Sequence, residues 1–354
     1  MSLRRWQTPL KLALTGALLA SLWWAVGDGQ VLHRLAELRP LWLAAGAALG
    51  TVGLVATALR WRHTAACVGL ALSPGLAIRE LYLSTFLNQL LPSGVAGDAV
   101  RAWRHGRSLN DARSGAAPSA AHGGSERARD GFDDDDHAAD DDHAADDDRG
   151  GDNRDGDNSD GRVGVGPAVR TVLIERFSNL LVSVPLALLS MTLWPALPGA
   201  LPAARVWAPL TAAAIVLAAL VAALALLSRR AGEGAIRRFM GDFRLVWLTR
   251  RGATAQLGLG LAVIAAFVGM FACAAAALSA PISAYQALAL IPPILVSMTL
   301  PISYGGWGPR EATAVALFTM AGLPGSDALT ISIVYGAIAL VSSLPGALVL
   351  LFDR

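Results

Sequence analysis

Cysteine is nearly absent from this sequence, and so is lysine. The two cysteines, Cys67 and Cys273, lie in or beside apolar runs, where they suit packing better than a disulfide framework. No Cys/His spacing of a zinc site occurs, and His33, His63 and His105 are scattered without catalytic spacing. Nothing matches the G-x-x-x-x-G-K-[ST] phosphate loop of nucleotide-driven machines. No metal, cofactor, nucleic-acid partner or catalytic residue is therefore expected. The 29 Lys and Arg residues include one lysine, Lys11, a bias that points to a GC-rich bacterial genome.

What is present is apolar. Of 354 residues, 54% are hydrophobic and the mean hydropathy is +0.48, the composition of a polytopic membrane protein. Runs near 20 residues recur, each able to cross about 30 Å of hydrocarbon as a helix. They are continuous rather than alternating, which argues against a β-barrel. The expected class is an all-α membrane protein with about six full spans and two broken, re-entrant hairpins.

The spans are expected at about Pro9–Val26, Leu41–Leu59, Val169–Trp194, Val206–Leu227, Ala253–Leu278 and Asp327–Phe352. Arg4, Arg5 and Lys11 hold the N-terminus in the cytoplasm. The first run is long, lacks a clear cleavage site, and reads as a retained helix. Arg60, Trp61, Arg62 and His63 read as a cytoplasmic anchor closing the second span. Arg229, Arg230, Arg237, Arg238, Arg244, Arg250 and Arg251 form the strongest cytoplasmic signal and suit a basic interfacial helix. The C-terminus returns to the cytoplasm.

The net charge of +2 hides an acidic insert. Residues 105–166 hold 17 acidic residues and 7 arginines, a balance of −10, so the remainder carries +12. The repeated H-A-A-D-D-D unit cannot bury enough apolar surface to fold and reads as a solvated linker. The chain thus divides into 1–104, the insert at 105–166, and 167–354.

Two stretches break the apolar runs. Asn88–Arg101 reads N-Q-L-L-P-S-G-V-A-G-D-A-V-R, with Pro92, Gly94 and Gly97 ahead of Asp98 and Arg101. Leu300–Glu311 reads L-P-I-S-Y-G-G-W-G-P-R-E, with Ser303, Gly305, Gly306 and Gly308 ahead of Arg310 and Glu311. Each interrupts a hairpin, so the order span, span, hairpin, span occurs twice from opposite sides. That is an inverted repeat, in which paired Gly/Pro-broken segments mark the binding site. Arg101 and Arg310 are expected to hold a lipid phosphate in turn near the bilayer centre. Asp98, Glu175 and Glu311 would be counter-charges or proton carriers. For Asp98–Arg101 and Arg310–Glu311 a purely structural pairing weighs equally, and for Glu175-Arg176, near a cytoplasmic helix start, snorkelling to the interface is the favoured reading.

These motifs, with Glu175-Arg176, resemble the flippase-like transmembrane domain of lysylphosphatidylglycerol synthases over nearly the whole chain outside the insert. The resemblance implies a helical bundle that handles or moves lipids in the bacterial plasma membrane. The first motif departs from it in having Val95-Ala96-Gly97 where a Gly-Gly pair is expected. The sequence stops at Arg354 without a synthase domain, so no aminoacyl-lipid synthesis is expected. The primary expectation is a flippase-like transporter of anionic phospholipid or polyprenyl-phosphate-linked lipid, its partners membrane lipids and envelope-lipid enzymes. The alternatives are an accessory subunit or an embedded enzyme of envelope lipid or glycolipid metabolism.

Overall fold

The computed structural model describes residues 35–91, 96–114, 166–197, 233–299 and 307–352, with three positions between 16 and 21. The described residues are helical, with no strand among them. Most of the expected span at Pro9–Val26, all of that at Val206–Leu227 and most of the acidic insert lie outside the described residues, as do Pro92, Gly94, Ser303, Gly305 and Gly306.

Four described segments are long and apolar enough to cross a membrane: Pro40–Cys67, Gly166–Ala196, Arg250–Ala277 and Gly325–Phe352. The first is helix α1, Pro40–Cys67. Pro40 suits a first turn, where the missing N–H is not needed. The first hairpin is α2, Pro74–Leu90, then α3, Ala96–Ser114. Ser73 caps α2 by accepting from the Leu76 N–H at 3.3 Å. Helix α4 is Gly166–Ser190 and continues through a 3-10 segment at Met191–Ala196. Helix α5, Glu233–Trp247, leads into α6, Arg250–Ala277. The second hairpin is α7, Ala284–Ser297, and α8, Pro309–Met320. Helices α9, Gly325–Ser343, and α10, Pro345–Phe352, complete the described chain.

The packing repeats with roles exchanged. Helix α1 packs on α2 as α6 packs on α7, and α3 packs on α4 as α8 packs on α9. The first arm of each hairpin lies against the closing span of the other unit: α2 against α9 and α10, α7 against α4 and its 3-10 extension. Helices α1 and α6 form the most extensive interface, on the axis that relates the units. This is the arrangement an inverted repeat requires.

The α1–α6 seam is built from absent side chains. Gly46, Gly50 and Gly53 recur on one buried face of α1. A Cβ on Gly53 would stand 3.0 Å from the Phe267 ring, and one on Gly46 3.3 Å from Cys273 Cβ. Lipid tails are as apolar as leucine, so membrane helices associate through such close backbone approach. The crosswise contact is as tight: a Cβ on Gly346 of α10 would lie 2.2 Å from the Tyr82 carbonyl oxygen of α2.

The prolines are accommodated rather than disruptive. Pro293 inside α7 cannot donate to the Ala289 carbonyl one turn back, and Ser190 Oγ of α4 donates to that oxygen at 3.4 Å. The Tyr285 hydroxyl donates to the Leu193 carbonyl, fixing α7 to the 3-10 segment.

Two boundaries differ from the sequence reading. Helix α1 runs to Cys67 rather than ending near Leu59, and Arg60 and Trp61 are buried at 1% and 0% exposure. Only Arg62 of that supposed anchor is exposed. Helix α3 continues past residue 105 to Ser114, because Arg104 bonds Glu80 at 2.7 Å and His105 meets the Ala71 carbonyl at 3.3 Å.

The basic segment forms a helix, α5. Phe239, Phe243 and Trp247 stack along one face at helical spacing, and Phe239 meets Phe177 of α4 edge-on at 5.7 Å. Arg170 donates to Asp242 at 2.6 Å and Trp247 to Ser178 at 2.9 Å, tying α5 to α4. Arg237, Arg238 and Arg244 face outward.

Candidate functional site

A cavity of about 730 Å³ lies between the two hairpins. Its charged wall comes from the first unit: Arg60 of α1, Asp98 and Arg101 of α3, Glu175 and Arg176 of α4. Its apolar wall comes largely from the second, including Ile264 and Phe267 of α6 and Leu295 of α7.

Each functional side chain is positioned by local sequence. Gly97 lets α3 start against α2: its Cβ would be 2.0 Å from the Ser84 carbonyl oxygen, so any larger residue forces the arms apart. The Gly97 N–H donates to Asn88 Oδ1 at 2.9 Å, closing the hairpin end. Asp98 then falls in the first turn of α3, where a carboxylate suits the exposed N–H groups. Arg101 follows one turn later on the same face.

The charges form one network. Arg60 donates to Glu175 Oε1 at 2.7 Å and Arg101 to Oε2 at 3.2 Å. Arg101 also donates to Asp98 Oδ1 at 3.0 Å, and Ser84 Oγ to the same oxygen at 2.9 Å. Arg176 holds Asp98 Oδ2 through Nε, at 2.6 Å, and Nη2. The Arg101 guanidinium lies over the Trp61 ring, 4.6 Å from its centroid, and Trp61 meets His105 edge-on at 5.4 Å. Glu175 is buried in this network rather than snorkelling to the interface.

The two inner arginines are not saturated. Arg60 and Arg101 are each 1% exposed, yet Nε and Nη1 of both find no hydrogen-bond partner among the described residues. A buried unsatisfied donor costs about 1–3 kcal/mol, more when charged. Three arginines against two carboxylates leave the cavity lining at 3 − 2 = +1. Arg176, which supplies the excess, is partly exposed, whereas the buried Arg60, Arg101, Asp98 and Glu175 balance one another.

The second unit's pair is arranged differently. Gly308, with φ of +96°, a conformation open to glycine, starts α8 and donates to Glu311 Oε2 at 2.7 Å. Arg310 Nε donates to Glu311 Oε1 at 3.0 Å and to Ser332 Oγ at 2.9 Å, and Nη2 bonds Glu311 as well. Trp307 and Tyr335 cover the Arg310 guanidinium at 4.6 and 5.2 Å. Neither Arg310 nor Glu311 lines the cavity, whereas Tyr335 does. The structure therefore gathers Asn88, Asp98, Arg101, Glu175 and Arg176 at one site with Gly97 behind them. It keeps Gly308, Arg310 and Glu311 in a separate, closed cluster across the Tyr335 ring.

Sequence reasoning missed Arg60, Ser84, Asn179 and Ser183. Arg60 sits in a run of basic and aromatic residues that resembles an interfacial anchor. Its place on the Gly53, Ala56, Arg60, Thr64 face is the signal that turns it inward. Asn179 and Ser183 follow Glu175 at i+4 and i+8, a polar stripe along an otherwise apolar helix, and that spacing is visible in sequence.

The family model described as the lysylphosphatidylglycerol synthase TM region matches residues 10–131 and 159–346. The chain belongs to that family, and is a multi-pass membrane protein of lipid metabolism or transport. No curated protein and no solved structure matches it.

Proposed function

We propose that this protein carries an anionic lipid across the bacterial plasma membrane. Its headgroup would be held at Arg60 and Arg101 and exposed to the two leaflets in turn. The observation that carries this reading is the pair of buried arginines with unfilled N–H donors on a cavity between two broken hairpins. A phosphate oxygen supplies the missing acceptors. The apolar second wall accommodates the start of the acyl chains.

Movement is by exchange of roles between the units. In the described conformation the first unit's arginines line the cavity, whereas Arg310 lies behind Tyr335. The packing that repeats across the α1–α6 seam supports a second conformation in which the roles reverse. Asp98, Glu175 and Glu311 are each held at both oxygens. Movement down the lipid's own gradient therefore fits better than a proton carried on any of them.

The test is leaflet exchange of labelled lipids in liposomes containing the purified chain. Wild-type protein should speed exchange of an anionic phospholipid, and Arg60→Gln and Arg101→Gln should each lower the rate at least about tenfold, the loss of one charged hydrogen bond. No acceleration for any anionic lipid would rule out transport. Rates indifferent to both substitutions would rule out this site.

A further inference from the structure

Residues 234–251, which cover most of α5 and the start of α6, hold five arginines and one carboxylate. All five arginines, Arg237, Arg238, Arg244, Arg250 and Arg251, are exposed. The carboxylate, Asp242, is bonded by Arg170 of α4 at 2.6 Å. The aromatic side of α5 is taken as well: Phe239 meets Phe177, and Trp247 donates to Ser178, both on α4. What α5 presents outward is therefore a basic face. A basic flank suffices to orient a span, but orientation alone calls for no acidic run to match it.

The same chain carries the matching charge. Residues 133–148 contain ten aspartates and no Lys or Arg. We infer that this acidic run docks on the arginine face of α5 and the start of α6, an electrostatic contact within one chain.

Connectivity brings the two charges together. The acidic run precedes α4, whose first residue is Gly166. Arg170, one turn further on, is the residue that bonds Asp242 of α5. At about 1.5 Å per residue, the chain enters α4 about 6 Å along the helix axis from that contact. Position 148 lies 166 − 148 = 18 residues before Gly166, a tether that extends to at most about 60 Å. Helix α5 has 15 residues and is about 22 Å long, so the run can reach every arginine on it. Tethering of this kind corresponds to an effective concentration on the order of millimolar. At physiological salt, charges within about 8 Å still attract.

An anionic bilayer surface is the competing partner for a basic helix. Here the tethered run is favoured for two reasons. The aromatic ladder, the part of α5 suited to a bilayer interface, is turned toward α4. The aspartates are also joined to the fold beside the face they match, whatever the lipid composition.

The scarcity of lysine makes the contact testable. Arg244→Lys keeps the charge and adds an amine that a carbodiimide can join to a touching carboxylate, in a chain whose one native lysine is Lys11. The full-length variant is placed one chain per nanodisc in phosphatidylcholine, treated with carbodiimide, digested and read by mass spectrometry. Position 244 should be joined to aspartates of residues 133–148. The yield should fall at least about fivefold between about 0.02 M and about 0.5 M salt, as the Debye length shrinks from about 20 Å to about 4 Å. The same bond should persist in discs of about one-third phosphatidylglycerol, despite their negative surface. An Asp-specific protease supplies a second measurement. Arg237→Glu, Arg238→Glu and Arg244→Glu together should speed cleavage within residues 133–148 at least about threefold at low salt, as the attraction becomes repulsion. Coupling to no aspartate of that run in neutral discs overturns the inference, and so does a cleavage rate indifferent to the three reversals. Coupling that vanishes in the anionic discs gives this face to the bilayer and overturns it as well.

Discussion

Gly97 offers a sharp test of how the charged wall is held. Replacing it with alanine adds one methyl group at a point where backbone, not a flexible side chain, is in the way. The new Cβ would stand 2.0 Å from the Ser84 oxygen, 2.7 Å from its carbonyl carbon and 2.8 Å from its Cα. Van der Waals contact begins near 3.4 Å, so α2 and α3 must separate by more than about 1 Å at their closest point. Overpacking of this kind costs about 1–3 kcal/mol. The separation also stretches the Gly97–Asn88 and Ser84–Asp98 hydrogen bonds, which start at 2.9 Å each. Their weakening adds about 1–2 kcal/mol, since one of them goes to a charged group. The total of about 2–5 kcal/mol corresponds, at about 2 °C per kcal/mol for a large domain, to a fall in Tm of about 4–10 °C. Gly75→Ala is the control: Gly75 is exposed in the first turn of α2 with nothing within 4 Å of its Cβ. There alanine should be neutral or slightly stabilising. Unfolding can be followed with a thiol-reactive dye, because Cys273 is buried and Cys67 half-buried in the fold. A Gly97→Ala protein that unfolds within a degree of the Gly75→Ala protein would refute the argument that backbone contact fixes Asp98 and Arg101.

Arg60 and Arg62 are two positions apart in sequence and opposite in role, so Arg60→Gln should cost about 3–5 kcal/mol, the penalty for breaking a buried ion pair. Arg62→Gln, on an exposed residue whose Nε meets the Leu72 carbonyl at 3.2 Å, should cost about 1 kcal/mol or less, and the same thermal assay separates the two. Tyr335→Leu keeps apolar bulk but removes one of the two rings over Arg310, a loss of about 0.5–2 kcal/mol. Combined with Trp307→Leu in a double-mutant cycle, it should show coupling between the rings, and strict additivity would mean they do not act on the same guanidinium. Arg170→Ala breaks a partly exposed pair with Asp242 and should lower global stability by about 1 kcal/mol or less. Hydrogen exchange should nevertheless rise across residues 233–247, and unchanged protection there would mean that the aromatic ladder and the Trp247–Ser178 bond hold α5 without it.

Much of the architecture was legible because membrane helices announce themselves by length. The spans beginning at Pro40, Gly166, Arg250 and Gly325 and both hairpins were foreseen to within a few residues, except at the ends of α1 and α3. The error at α1 has a physical source. An arginine followed by tryptophan, arginine and histidine has the composition of an interfacial anchor, and composition says nothing of which arginine faces lipid and which faces protein. The helix phase does: Arg60 shares the face of Gly53 and Ala56, which the partner helices cover. Asp98, Arg101 and Glu175 were visible as charges in apolar surroundings, a signal that survives without structure because burying them needs partners. Their union with Arg60 was not visible, because 115 positions separate Arg60 from Glu175 and only the fold brings them to 2.7 Å. The unlike treatment of Arg101 and Arg310 was also hidden. The two motifs match in residue types, and the difference is made by Trp307 and Tyr335, whose rings close over one guanidinium.

The crosswise seating of each hairpin's first arm on the other unit's closing span has a consequence for biogenesis. Helix α2 emerges from the ribosome early, but the surface it needs is made by α9 and α10, more than two hundred positions later. Until Gly346 arrives over the Tyr82 carbonyl, α2 has its long-range neighbour missing and must wait, inserted or held at the membrane. The first unit therefore cannot mature alone, and neither can the second, whose α7 rests on α4. Two halves synthesised as separate polypeptides, divided within the acidic segment, should each be degraded when expressed singly and should rescue one another when expressed together.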